Sequence, residues 1–561
     1  MKCSKKTCLI ILAIFLFLVA VAVALLVVFL ILPRDNSTAP PRARTKTAGT
    51  ILGQTVVLKD KETQIHEFHN IRYAKPPVGE LRFRPPVKHT AENPEELVEA
   101  TNSTEILCIQ ADNGDGTEDC LVLTVRTANL NASKPVLVWL HGGGLATNHG
   151  MMGGYSFDSE VTHKVEAVTV NVNFRLGFIG FSSVEELWDE EAGVYANNGI
   201  RDMIAALNWI QENIAGFGGD PDSVTVIGES GGATAVLALA CSPLANNKFH
   251  AGIAQSPAPE MRFTHVDGDK YQRTIVDQVG CTQNSKEERK KCLLDLPAEK
   301  FSRKYIDIVN GDAYFTFPRS QGEDADVVGL VVIDPVVVTV PPRELSSAGF
   351  VPDKPLPVII SNLAEENFEW AWIIKPPFSS EEELKSTLGP LLKNLTDDAD
   401  VLDKVLAIYP DQDPVTVWSL LTCDMRATCP SNDVALAMST ASNRDIYRLY
   451  ISHRPSLGIP AVHAYDSVVL FGYGSGASNG GGGFSFSPVE LDLKFERHYI
   501  SMVKQLAQNK KFDDGWETFP GKSMIYENSD EISNVMSNKP QQTECEKLAE
   551  LDLVKYGWQN R

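Results

Sequence analysis

Between Val224 and Ala240 the chain changes its backbone preference within a few residues. Val224–Ile227 is a short apolar run, Gly228-Glu229-Ser230-Gly231-Gly232 follows at once, and ATAVLALA from Ala233 to Ala240 is a helix former. A strand that turns this sharply into a helix carries the chain back over its own sheet, which is how a parallel crossover begins. Two more apolar runs, Val136–Leu140 and Ala167–Val172, read as strands. Between the second of these and Val224 lies IRDMIAALNWIQENI, in which Ile200, Met203, Ile204, Leu207, Ile210 and Ile214 recur at helical spacing. This alternation predicts an α/β fold with a mainly parallel sheet and helices on both faces. Such sheets bind ligands beyond the carboxyl ends of their strands, so chemistry is expected in the segments that leave them.

Two of those segments carry a chemical pattern. G-x-S-x-G between a strand and a helix is what a nucleophile elbow requires, with Ser230 Oγ lifted clear of the backbone. The amides at the start of the following helix then point toward developing negative charge. The run Val136–Leu140 leads into His141-Gly142-Gly143-Gly144, a glycine-rich loop whose N–H groups are not shielded by side chains and suit an oxyanion. His141 reads as structural, because a base this close to the oxyanion loop would sit on the wrong side of the reacting carbon.

Further motifs extend the pattern. They are YAKPPVGELRFRPP (Tyr73–Pro86), Glu118-Asp119-Cys120-Leu121, Asn173-Phe174-Arg175-Leu176-Gly177, and NIAGFGGDPDSVTVIGESGG from Asn213 to Gly232. Together they resemble the type-B carboxylesterase and cholinesterase family, from about Ile51 to Cys545. The resemblance implies the α/β-hydrolase fold, a large mostly parallel central sheet covered by helices on both faces, and serine-dependent hydrolysis of esters. It also implies a Cys108–Cys120 bridge and buried ion pairs Arg82–Glu118 and Arg175–Asp202. In this fold the catalytic residues run Ser, then acid, then His. The family's D-E-G segment corresponds to Glu365-Glu366-Asn367, after Pro357–Ile360, which makes Glu366 the acid and leaves Glu365 as the alternative. Its H-x-x-D segment corresponds to His463-Ala-Tyr-Asp466, which makes His463 the base. Gly143, Gly144 and Gly231 would form the oxyanion hole. Glu229 and Ser256 are supporting residues, Ser256 through a hydrogen bond to Glu366.

The substrate expected is a small neutral ester. Cholinesterases of this family stack a quaternary ammonium on a Trp in the first disulfide loop. The stretch from Cys108 to Cys120 has no aromatic residue, which favours a general carboxylesterase over a choline esterase. A rival reading is a non-catalytic adhesion or recognition ectodomain, a use this family also makes of the fold. The three triad positions are filled, which argues for the enzyme.

The balance of 51 Lys+Arg against 72 Asp+Glu leaves a formal net charge of -21, which repels phosphate backbones and excludes nucleic acid as a partner. Neither paired CxxC units nor HExxH occurs, so no metal and no other cofactor is expected. From Cys8 to Leu32 there are 25 residues without a charge, enough to span a bilayer. This run reads as an uncleaved signal-anchor after a cytoplasmic tail of residues 1–7, with a cleaved signal peptide as the competing reading. Residues 33–48 read as a stalk, and 49–561 as one large domain with a glycine-rich surface loop at Gly472–Gly483.

Flanking charge leaves orientation open; other features decide it. Four N-x-S/T sequons, at Asn36, Asn102, Asn131 and Asn394, lie downstream of the anchor. Cys108/Cys120 and Cys281/Cys292 flank short polar stretches that suit disulfides in an oxidising compartment. Cys423, Cys429 and Cys545 allow one further bridge and leave one thiol, and Cys241 reads as a buried free thiol. The expectation is a type II membrane protein with its domain outside the cell or in the secretory lumen. Its partners are an ester substrate and the membrane, with self-association and a cell-surface protein partner left open.

Overall fold

The structure is a computed structural model, in which the described residues run from 39 to 554. Excepted are 94, 111–115, 260, 262, 303–330, 346–349, 367–379, 442, 454–460, 473–487, 513–514, 522, 527–533 and 538–541. The apolar run at 8–32, the sequon at Asn36 and all but the first residue of the glycine-rich loop therefore lie outside the described residues. Among those described, no helix is long and apolar enough to cross a membrane.

Strands β1 (Arg42–Arg44), β2 (Thr50–Leu52) and β5 (Leu97–Glu99) form a small sheet. Here one sequence boundary needs correction. Arg42, Ala43 and Arg44 pair antiparallel with Leu52, Ile51 and Thr50, so the folded chain already includes residues assigned above to a stalk. Ala43 is buried between two exposed arginines. Three residues of alternation beside a proline-rich stretch are too short to register as a strand.

The main sheet is built from β3 (Gln54–Val57), β4 (Gln64–Arg72), β6 (Val122–Thr127), β7 (Lys134–Leu140), β8 (Val168–Val172), β9 (Gly219–Glu229), β10 (Ala251–Gln255), β11 (Leu356–Leu363), β12 (Arg444–Ile451), β13 (Ser523–Tyr526) and β14 (Asn534–Ser537). Its order is β14-β13-β12-β11-β10-β9-β7-β8-β6-β4-β3. The consecutive strands from β13 to β8 are mutually parallel. Antiparallel strands close both edges, β14 at one and β6, β4 and β3 at the other. The sheet is thus mixed, with a parallel centre.

The three apolar runs read from the sequence are β7, β8 and the inner half of β9, and the amphipathic stretch is the Asn198–Asn213 helix. Successive strand residues feed two different cores. Val136, Val138, Leu140, Val224 and Val226 pack on one face with the Asn198–Asn213 and Gly231–Ala240 helices. Leu137, Trp139 and Ile227 pack on the other with the Ser159–Val165 and Glu490–Asn509 helices. A strand buried on both faces cannot alternate apolar with polar, and for that reason these strands read as continuous apolar runs.

Disulfides join Cys108 to Cys120, Cys281 to Cys292 and Cys429 to Cys545. Cys423 is the thiol left over, and both it and Cys241 are buried and free. Arg82 connects the first two bridged loops. It forms a two-point pair with Glu118 (2.6 and 2.9 Å) and donates through Nη1 to the carbonyls of Leu293, Leu294 and Leu296, beyond Cys292. Arg175 pairs with Asp202 at 2.6 and 2.8 Å, both side chains almost wholly buried, and donates to the carbonyls of Arg82 and Arg84.

Removing one partner of a buried pair leaves a charge that water cannot reach. Arg175→Met is expected to cost about 3–5 kcal/mol of stability. Arg72→Met, which breaks a half-exposed pair with Asp119, should cost about 1 kcal/mol or less. Urea unfolding of the two variants beside the parent measures the contrast, and equal midpoints would refute it.

Candidate active site

Ser230 stands alone between β9 and the Gly231–Ala240 helix, with φ 53° and ψ -118°. A non-glycine residue in that region carries strain of order 1–3 kcal/mol and persists only where its surroundings hold it. Its N–H donates to the Gln255 carbonyl at the end of β10 (2.8 Å), and its carbonyl accepts from Thr234 N–H (3.0 Å). The turn is tight enough to exclude side chains on either side. A Cβ on Gly228 would lie 2.3 Å from the Gly232 oxygen, and one on Gly232 would lie 2.1 Å from the Leu140 oxygen.

That second contact brings the end of β7, and the loop after it, against the elbow. A Cβ on Gly231 would stand 3.1 Å from the Gly144 nitrogen and 2.6 Å from that of Leu145, so the amides of the two segments are neighbours. Among the described residues, the N–H groups of Gly143, Gly144 and Gly231 donate to no acceptor. The Gly143 carbonyl accepts from Ala146 and Thr147. Asn148 ties the loop further, donating through Nδ2 to the Gly142 carbonyl (3.3 Å) and through its N–H to Gln110 Oε1 (2.7 Å). Gln110 belongs to the first disulfide loop, a connection that no sequence motif signalled. His141 is buried and stacked on Phe174 at 4.4 Å, with Nδ1 2.9 Å from the Gly142 carbonyl. Burial pushes its imidazole down to about 4, so it is neutral and serves as packing.

Glu366 lies in the turn after β11. One carboxylate oxygen accepts from Leu363 N–H (2.9 Å) and the other meets His463 Nδ1 at 2.6 Å. It is Glu366, then, and not Glu365, that meets the imidazole. The turn is held from behind by Cys423, whose sulfur accepts from Glu366 N–H (3.3 Å) and lies 3.5 Å from the Leu363 carbonyl. The other ring nitrogen of His463, Nε2, is 3.1 Å from Glu229 Oε1. Glu229 Oε2 faces the start of the glycine loop, where a Cβ on Gly142 would stand 1.9 Å away. Burial alone would lower the pKa of His463, but its hydrogen bonds and charge interactions with Glu229 and Glu366 outweigh this and hold it well above the ordinary value.

Ser256 does not play the part expected of it. Its hydroxyl is buried without a hydrogen-bond partner among the described residues, and its N–H donates to the Ser361 carbonyl (3.0 Å). The Glu366 oxygens are met by Leu363 N–H and His463 Nδ1, not by Ser256. The histidine loop is anchored instead through Asp466, which accepts from Ser361 Oγ (2.8 Å) and which burial pushes up to about 7. Ser467 Oγ donates to Gln255 Oε1 (2.9 Å), and Gln255 Nε2 to the Tyr499 hydroxyl (2.6 Å). Among the described residues no group of three or more His, Cys, Asp or Glu side chains could hold a metal ion. The sequon residues Asn102, Asn131 and Asn394 are exposed.

A serine on a strained strand-to-helix turn, unspent amides beside it, and an imidazole backed by a carboxylate are parts suited to attack on a carbonyl. Comparison with known proteins gives the lineage. Liver carboxylesterase 1F of Rattus norvegicus is 35% identical over 265 residues, 44% of this chain and 46% of its own length. Carboxylesterase 1F of Mus musculus is 32% identical over 331 residues, 55% of this chain and 56% of its own. Pyrethroid hydrolase Ces2e of Rattus norvegicus is 31% identical over 398 residues, 66% of this chain and 63% of its own. The chain thus spans about half the length of the first two relatives and rather more of the third. The profile described as the carboxylesterase family matches residues 39–548, nearly all of the chain, and its α/β-hydrolase fold fits the sheet described above. The chain belongs to the carboxylesterase family.

Proposed function

We propose that this protein hydrolyses carboxylic esters through an acyl-enzyme formed on Ser230, with His463 as general base and Glu366 as the acid behind it. The observation that carries the reading is the 2.6 Å contact between His463 Nδ1 and Glu366, made beyond the same strand ends that hold the elbow. In the reaction the neutral imidazole takes the proton of Ser230 Oγ as the oxygen attacks the ester carbonyl. Glu366 keeps the ring in the tautomer with Nδ1–H and stabilises the cation that forms. The N–H groups of Gly143, Gly144 and Gly231 receive the oxyanion. His463 then protonates the leaving alcohol, and water repeats the cycle to release the acid. The relatives named as carboxylesterases support this class of reaction.

The substrate proposed is a small neutral ester, since the chain from Cys108 to Cys120 offers no aromatic face to a quaternary ammonium. The uncharged run at 8–32 supports a membrane anchor, and the three disulfides and exposed sequons support an extracellular or lumenal domain carrying glycans.

Ser230→Ala should lower turnover of p-nitrophenyl butyrate by at least about 10⁴-fold and abolish labelling by a fluorophosphonate, with unfolding unchanged. Turnover at the parent rate would refute the role of Ser230. A parent that neither labels nor turns over esters would favour the non-catalytic ectodomain. Glu229 gives a second test. Activity requires neutral His463, so kcat/KM rises with pH through the titration of that ring. Two carboxylates raise that titration, and Glu229→Gln removes one of them. Its acid limb is therefore expected at lower pH than the parent's, in kcat/KM measured between about pH 5 and pH 9. A limb that stays in place would show that Glu229 does not act on the ring's charge.

A further inference from the structure

Strand β12 carries an arginine in the middle of an apolar run, Ile446-Tyr447-Arg448-Leu449-Tyr450-Ile451. Its register opposite Ile360 puts Arg448 on the sheet face that also holds Val358, Ile360 and Ile446, under the Cys429–Thr440 helix. The side chain is fully buried. Taking a guanidinium out of water is costly unless a carboxylate meets it, yet among the described residues none lies within ion-pair distance. Two neutral acceptors hold it instead, the Ile360 carbonyl on Nη1 (2.6 Å) and Asn432 Oδ1 on Nε (3.0 Å). Nη2 has no partner among the described residues. Burial lowers this guanidinium to about 9, which leaves it charged at neutral pH. A cation kept in such a place, without an ion pair, must act at a distance or be a pure loss of stability.

The carboxylate whose charge it shares a field with is Glu366. Both groups are set by β11. Arg448 donates to the carbonyl of Ile360, and Glu366 is folded back onto Leu363 N–H at the end of the same strand. The other groups in reach do not replace it. Around His463 stand Glu366 from the turn after β11, Glu229 from the end of β9, and Asp466 from the Tyr465–Phe471 helix that follows the ring. Around Arg448 stand Glu366 and, on its own strand, Tyr450; beyond Glu366, Cys423 and Asp424 belong to the helical segment packed on β11. Asp466 and Asp424 are each pushed up to about 7 by burial, so neither is a full negative charge at neutral pH. That leaves two carboxylates, Glu366 and Glu229, on one ring.

We infer that Arg448 is a positioning residue that acts through charge, the buried cation that offsets Glu366 and so lets His463 lose its proton at working pH. The inference rests on the ester-hydrolase reading above. An imidazole between two uncompensated carboxylates would stay protonated and could not accept the Ser230 proton. A positive charge near one of them disfavours the imidazolium without blocking the tautomer that Glu366 selects. Arg448 touches neither substrate nor reacting atoms.

The test is the pH dependence of kcat/KM on p-nitrophenyl butyrate for the full chain, with thermal unfolding alongside. Arg448→Met should move the acid limb up by about one pH unit, which is a loss of about tenfold below the limb, with the alkaline plateau within about threefold of the parent. Arg448→Lys, which keeps the charge, should restore the parent limb. Should the Met variant not fold, Arg448→Gln, which retains a donor for the Ile360 carbonyl, supplies the neutral arm. A neutral variant with the parent limb, whatever its unfolding temperature, overturns the inference and leaves the hydrolase reading intact. Absence of any Ser230-dependent hydrolysis in the parent overturns both.

Discussion

The imidazole of His463 meets a carboxylate at each of its nitrogens, and much of the molecule follows from holding those charges away from water. The oxygens of a carboxylate taken out of water need donors. Glu366 has two, the N–H of Leu363 and Nδ1 of the ring, one on each oxygen. The spacing comes from the sheet. Glu229 ends β9 and Glu366 follows β11, with β10 between them and Gln255 in register with both Glu229 and Ser361. Strands two apart in a sheet lie about 10 Å from one another, a gap that two glutamate side chains and one ring can fill. Parallel strands are what make this possible, because their carboxyl ends all open on the same side.

The elbow imposes the second constraint. Ser230 and Ser256 end adjacent strands, each with φ 53°, and each N–H is taken by a carbonyl of the next strand, Gln255 and Ser361. The ladder thus continues through two residues whose backbones are strained. Strain of this kind survives only where the surroundings outweigh it, and here they include the β7 end pressed onto Gly232 and a helix buried along its whole length. The glycine loop after β7 is set by the same contact and held at its far side by Gln110 of the first disulfide loop. The glycine loop and the Ser230 turn are therefore braced from two directions, by the sheet and by a covalent bridge.

Much of this was legible in the sequence, and the reasons for the rest are physical. β7, β8 and the inner half of β9 were visible because strands buried on both faces must be continuously apolar. The turn at Ser230 and the glycine loop were visible because sharp turns demand glycine, and the resemblance led to Glu366 and His463, whose side chains meet. The hydrogen bond expected from Ser256 to Glu366 is not made, because where a hydroxyl points from a left-handed backbone position is a property of three dimensions. β1 was read as stalk because three residues carry no period. Cys423 could be read only as an unpaired thiol, since nothing linear says that it backs the Glu366 turn. Arg448 did leave a signal, a charge at the centre of an apolar strand run, but its meaning lies in what it fails to pair with.

Two kinds of buried polar group can be set side by side among the described residues. Glu67 is satisfied on both oxygens, by Arg126 and Ser159 on one and by His69 and Gln54 on the other, and this network fastens the antiparallel edge of the sheet. The hydroxyl of Ser256 after β10, the amide of Asn362 near the end of β11 and Nη2 of Arg448 in the middle of β12 are buried and lack protein partners among the described residues. Each unmade bond of that sort costs about 1–3 kcal/mol, so a layer selected for stability would resemble the first kind. Groups of the second kind occur elsewhere too, among them Trp209 Nε1 and Ser242 Oγ, but of Ser256, Asn362 and Arg448 it is Arg448 that brings a charge, and it stands opposite Ile360 on β11, the strand that Glu366 follows. At Arg448 the unmade bond accompanies a positive charge on the strand beside the one that leads to Glu366, a carboxylate in contact with the His463 ring.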